Sequence, residues 1–119
     1  MYQTAKEYKK AIEYSKIYEN SLLNFQPSNL SGLAYAFFDQ GRCYYYLGLQ
    51  EKEQGNSKLA IENWLKSEEY LTKALEYNIN MRGAIAVDTI DNQEYLADVH
   101  NALSKEMYEK AIQEYTTAL

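Results

Sequence analysis

Among its 119 residues the chain has one cysteine, one proline, one tryptophan, one histidine and only five glycines. Each scarcity removes a class of protein. The lone Cys43 cannot form an intrachain disulfide and cannot supply a Cys-x-x-Cys zinc or redox motif; its expected role is a small buried apolar side chain on a helix. The lone His100 cannot furnish the two Glu-x-x-His motifs of a di-iron bundle, and no local pattern sets it up as the base of a nucleophilic pair. The longest unbroken apolar run, Leu33 to Phe38, is far shorter than the ~20 residues of a membrane span. No basic run exists either: 12 Lys and Arg are scattered among 17 Asp and Glu, and the net charge is −5. A nucleic-acid surface would have no electrostatic footprint. Gly41, Gly48 and Gly55 do not make a phosphate loop, because their spacing of seven places them on one helical stripe. No segment alternates with period two, and no Asn-Gly or Asp-Gly turn appears, so strands are not expected. The opening residues Tyr2-Gln3-Thr4-Ala5 lack an apolar leader core, and a soluble, cytoplasmic chain is the expectation.

What is abundant is tyrosine, with 13 copies against three Phe, within a composition that is 46% hydrophobic and 24% charged. That content supports a core, and tyrosine suits half-buried helix faces, where the ring packs and the hydroxyl reaches out. Tyr8, Ala11, Ile12, Ser15, Tyr18 and Leu22 recur at helical spacing ahead of Pro27, which predicts a helix over about 2–25. Leu33, Phe37, Gly41, Tyr44, Leu47 and Gly48 predict a second over 29–54. Gly55-Asn56-Ser57 supplies a stop and a new start for a third over 57–77, with Ala60, Ile61, Trp64, Leu71, Ala74 and Leu75 on one face. Asn78-Ile79-Asn80 reads as a connection. The fourth and fifth helices are expected over 82–104 and 105–119, giving one all-α domain. Asp91 and Glu94 have capping-box spacing, but the repeat register favours a start near residue 82.

That register is the strongest pattern in the chain. Ala11-Ile12-Glu13, Ala60-Ile61-Glu62 and Ala111-Ile112-Gln113 repeat, their alanines 49 and 51 residues apart, and Gly32/Gly83 and Tyr44/Tyr95 each repeat at 51. A fixed period implies stacked copies of one supersecondary unit. Within it, Tyr44-x2-Leu47-Gly48, Gly55 and Ala60-x3-Trp64 resemble the tetratricopeptide repeat pattern W-x2-L-G-x2-Y…A-x3-F, in which small residues let two antiparallel helices approach. Ala111-x3-Tyr115-x2-Ala118 resembles its second helix again, while Asp98-Val99 stands where Leu-Gly is expected. The period of about 50 exceeds the family's 34.

The resemblance implies an antiparallel hairpin array, a short α-solenoid of about five helices, with no catalytic centre, metal or cofactor. It also implies a protein or peptide partner held in a groove lined by the first helices of the hairpins. Carried over by the 51-residue register, the groove candidates are Arg42, Tyr45 and Leu49, followed by Gln93, Leu96 and His100. Tyr45, Leu49, Leu96 and His100 replace the Lys and Asn with which some members clamp a terminal carboxylate, so that ligand is not expected. Tyr44 is expected in the core, Tyr45 in the groove, and Tyr46 at the periphery or on the third helix. Asp88, Asp91, Glu94 and Asp98 read as a solvated acidic face meeting a basic partner rather than as a cation site. The sequence leaves two other roles open: a homo-oligomer built through exposed end helices, or part of a longer protein with such ends covered; and a regulatory domain binding a small molecule or peptide signal.

Overall fold

The computed structural model describes residues 4–83 and 86–118, with side chains described as far as residue 109. These residues form four helices, α1 (Ala5–Phe25), α2 (Leu30–Glu53), α3 (Ser57–Arg82) and α4 (Val87–Ala118), and no strand. Local chemistry accounts for most ends. Thr4 and Glu7 form a capping box that opens α1. The Asn29 side chain accepts the Gly32 N–H and opens α2 just past Pro27. Gly55 and Gly83, with φ of 83° and 88°, take the left-handed backbone that follows α2 and ends α3.

Two sequence expectations are corrected here. Asn78-Ile79-Asn80 is helix, not connection, and α3 runs on to Arg82 instead of stopping at Tyr77. The Asn78 amide is spent across the helix pair: its Nδ2 donates to Asn92 Oδ1 at 3.1 Å, and Asn92 Nδ2 donates to the Leu71 carbonyl at 2.8 Å. That buried network overrides the loop preference of asparagine. Gly83 therefore caps α3, whereas its supposed counterpart Gly32 lies inside α2 against Leu22 and Tyr18. The fourth and fifth predicted helices are one, since no glycine or proline interrupts Val87–Ala118. It starts at Val87 and not near residue 82, which belongs to α3, and Asp91 lies within its second turn and is no cap.

The connections are short, so consecutive helices run antiparallel. Along the chain each helix packs on the next, and α2 and α4 also touch along one side. A closed four-helix bundle would bring α1 against α4, and among the described residues it does not. The helices form an open row with extents of 57 × 31 × 28 Å.

The tightest contact in the row joins α2 to α3. A Cβ on Gly41 would stand 2.6 Å from Leu71 Cγ, and one on Gly48 would fall inside the Trp64 indole. Both positions thus admit only hydrogen, and the aromatic bulk of Trp64 (3% exposed) lies on the α2 backbone. Its Nε1 donates to the Tyr45 carbonyl at 3.2 Å, and Ser67 Oγ donates to the Gly41 carbonyl at 2.7 Å. Beyond this seam, Trp64, Leu71, Leu96, Val99 and Leu103 pack α3 on α4. Tyr8, Ile12, Cys43, Tyr44 and Leu47 pack α1 on α2. Gly48→Ala should therefore destabilise the fold by about 1–2 kcal/mol, because overpacking outweighs the helix propensity that alanine adds. Urea denaturation followed by circular dichroism measures this, and a neutral or stabilising result would contradict the packing.

Candidate functional site

The side of α2 that faces neither α1 nor α3 carries Tyr35, Phe38, Arg42, Tyr45 and Leu49 at steps of three and four, one continuous stripe. Against it α4 sets Asp88, Asp91, Glu94, Tyr95 and Asp98. Two clefts between these stripes adjoin at Phe38 and Asp91 and are treated together as the α2–α4 groove. The α2 residues that line them, Tyr35 to Leu49, span about 21 Å at 1.5 Å per residue.

Its floor is aromatic. Tyr95 meets Phe38 and Tyr45 edge-on, with ring centroids 5.5 and 6.1 Å apart, and the hydroxyls of Tyr46 and Tyr95 lie 3.0 Å apart. Tyr46 stacks on Tyr8 of α1 at 5.3 Å and meets Tyr95 of α4 at 6.1 Å, so it ties three helices together on the groove side and does not pack on α3. Tyr44 is in the core as expected, stacked on Tyr70. Burial and the Tyr46 hydroxyl push the Tyr95 phenol up, while burial and the charge of Asp98 push Tyr45 up. The floor is neutral at physiological pH.

Its wall is acidic. Arg42 is paired with Asp39 at 2.8 Å, and Arg82 with Asp88, which neutralises both cations. Asp91, Glu94 and Asp98 make no ion pair among the described residues, so the groove keeps an uncompensated negative side. Cys43 lies away from it, fully buried, and burial pushes its thiol to about 11.

Of the six groove residues expected from the sequence, the structure brings Arg42, Tyr45 and Leu49 together. Gln93, Leu96 and His100 are elsewhere. Leu96 is 8% exposed and packs in the α3–α4 core, His100 pairs with Glu68 of α3 at 2.9 Å, and Gln93 is exposed without lining the groove. The cause is the register. The buried stripe Leu33, Ala36, Gln40, Cys43 and Leu47 on α2 recurs on α4 as Thr89, Asn92, Leu96, Val99 and Leu103, each 56 positions later. The 51-residue register thus falls five residues short of the one by which the helices pack. Five residues turn a helix by about 140°, enough to swing Leu96 from groove to core. With the longer shift, Tyr35, Phe38 and Arg42 map onto Asp91, Glu94 and Asp98, the α4 residues that do line the groove. Their helical spacing was visible as an acidic face; their place opposite the tyrosines was not.

No protein-family model, curated protein or solved structure matches this chain. Among the described residues no helix is long and apolar enough to cross a membrane.

The C-terminal part of the α2–α4 contact is held by charge instead of aromatics. Lys52 Nζ lies 2.6 Å from Glu106 and 3.2 Å from Glu109. Hydrogen bonds from Lys52 and Ser57 hold the Glu106 carboxyl below the usual glutamate range. A lowered folded-state pKa contributes stability above the unfolded value of about 4.3, and that contribution is lost as pH falls through the folded value. The thermal midpoint of Glu106→Gln should accordingly fall below the parent's at neutral pH and converge on it in acid. Parallel melting curves across pH 3 to 7 test this, and a gap that persists at low pH would mean that Glu106 acts through packing instead.

Proposed function

We propose that this chain is a non-catalytic binding scaffold whose α2–α4 groove holds a helical or extended segment of a protein partner. Its open row of antiparallel helices, with small residues at the α2–α3 seam, supports reading it as a short array of tetratricopeptide-like hairpins. The single observation that carries the reading is the groove itself: about 21 Å long, aromatic along its floor and negative along one wall. A small molecule would use a fraction of that length, whereas a helix of four turns or a short extended strand would occupy it all.

The groove's chemistry defines the segment. Tyr35 is 63% exposed and Phe38, Tyr45 and Leu49 are half-buried, which offers apolar surface to aliphatic or aromatic anchors. Asp91, Glu94 and Asp98 lack cations of their own and complement Lys or Arg on the same segment. The partner is therefore an amphipathic peptide with a basic flank, met in the cytoplasm, and nucleic acid and membrane are disfavoured by the same acidity.

Random-peptide display against the intact protein, followed by fluorescence anisotropy on the selected peptides, tests the reading. The expected winners combine apolar anchors with Lys or Arg. Tyr45→Ala should weaken them about tenfold, or ~1.4 kcal/mol. Glu94→Gln with Asp98→Asn should also weaken binding and flatten its dependence on salt. Selection of no sequence, or peptides indifferent to both changes, would remove the groove from consideration.

A further inference from the structure

Where α2 begins, α3 ends and α4 begins, the groove opens into a cavity of about 170 Å³. Buried Ala34 and Asn78 lie at its base. Tyr35 and Phe38, one turn apart on α2, make an aromatic wall, and Asp91 of α4 lines the same space. Tyr95 fixes the Phe38 ring by an edge contact with centroids 5.5 Å apart, whereas Tyr35 is 63% exposed and its ring face is open to a guest. A polar bridge joins the three helices beside it. Arg82 Nη2 donates to Ser31 Oγ at 2.7 Å, and Arg82 Nη1 pairs with Asp88.

Size and charge together select the guest. A cavity of about 150 Å³ takes benzene, and drug-sized ligands need roughly 300–1,000 Å³, so this space fits the end of one side chain or an equally small molecule. With Arg82 committed to Asp88, Asp91 is the lining charge left without an ion pair among the described residues. A cation beside aromatic rings and one free carboxylate satisfies both features.

The number of donors on that cation then matters. A primary ammonium brings three N–H groups and a guanidinium five, and each left without an acceptor on leaving water costs free energy. The Ser31 hydroxyl oxygen and Asp88 already receive Arg82, which leaves Asp91 as the free carboxylate. An ammonium whose hydrogens are replaced by methyl groups asks for no such acceptors and presents apolar surface to Tyr35 and Phe38. We infer that the cavity holds an N-methylated ammonium group, carried by a lysine side chain of the partner segment or by a free small cation. In the first form the inference rests on the groove reading and names the group taken at the groove's end.

Backbone amide NMR of the intact protein, titrated with choline chloride against a sodium chloride control, reads the cavity by itself. Saturable shifts should centre on residues 31–38 and 88–91. The neutral analogue with tert-butyl in place of trimethylammonium should produce none. Asp91→Asn and Tyr35→Leu should each weaken choline about fivefold, and Tyr35→Phe should not. Asp91 and Tyr35 are both exposed, so these variants keep the fold. Anisotropy with a groove-selected peptide, its lysine free or trimethylated, then separates the two sources. Tighter binding of the trimethylated peptide, lost in Asp91→Asn, assigns the cavity to the partner's side chain. Choline binding beside peptides indifferent to methylation assigns it to a free cation. Choline binding when no peptide can be selected does the same and removes the groove reading. Peptides that bind while choline gives no saturable shift, or a tert-butyl analogue that binds as well as choline, overturn the inference and leave the groove reading standing.

Discussion

The approach of α3 to α2 over Gly41 and Gly48 is the constraint on which the rest of the molecule depends. With no Cβ at either position, Leu71 and the Trp64 indole reach the α2 backbone, and their contact fixes both the distance and the rotation between the helices. The rotation matters most. With the glycines and the Tyr45 carbonyl turned toward α3, the helical period carries the side chains of Tyr35, Phe38, Arg42, Tyr45 and Leu49 round to the open side. Bulk at Gly48 would displace Trp64 and take with it the α3 surface on which α4 rests.

Buried polar groups then set the register of α4. Asn92 reaches the Leu71 carbonyl, Asn78 reaches Asn92, and the Thr89 hydroxyl donates to the Gly83 carbonyl at 2.8 Å. Sliding α4 along α3 would leave the Asn78 and Asn92 amides and the Thr89 hydroxyl buried without these partners, a loss greater than the gain from each bond made. The apolar stripe Leu96, Val99 and Leu103 alone would tolerate such a slide far better. Register in turn decides which α4 side chains stand opposite the tyrosines of α2, and the negative wall of the groove is the result.

A single helix consequently presents three chemistries on three sides. Leu96, Val99 and Leu103 of α4 face the core, Asp91, Glu94 and Asp98 face the groove, and Ala97 and Ser104 face outward. The proposed binding segment therefore uses a side of α4 that the core leaves free. Tyr46 adds a mechanical link, because its ring is held between Tyr8 of α1 and Tyr95 of α4, so the groove floor joins the two end helices of the row.

Helical class and helix-pair chemistry were legible without coordinates. The three- and four-residue spacing of Tyr8, Ile12 and Leu22, and the small–large complement of Gly48 and Trp64, are consequences of helix geometry that any sequence displays directly. Pro27 and Gly55 marked two of the three connections for an equally local reason, the backbone angles they permit. Arg42, Tyr45 and Leu49, carried over from the repeat resemblance, line the cleft between α2 and α4, whereas Gln93, Leu96 and His100 do not, because the 51-residue register is not the one by which α4 packs. Asn78 and Asn80 favour a turn in isolation, and the bond from Asn78 to Asn92 on a different helix supports that segment as helix. Local pattern determined the helices and their faces; which partner each α4 face meets was decided by packing and by hydrogen bonds between residues that the sequence holds 14 and 21 positions apart.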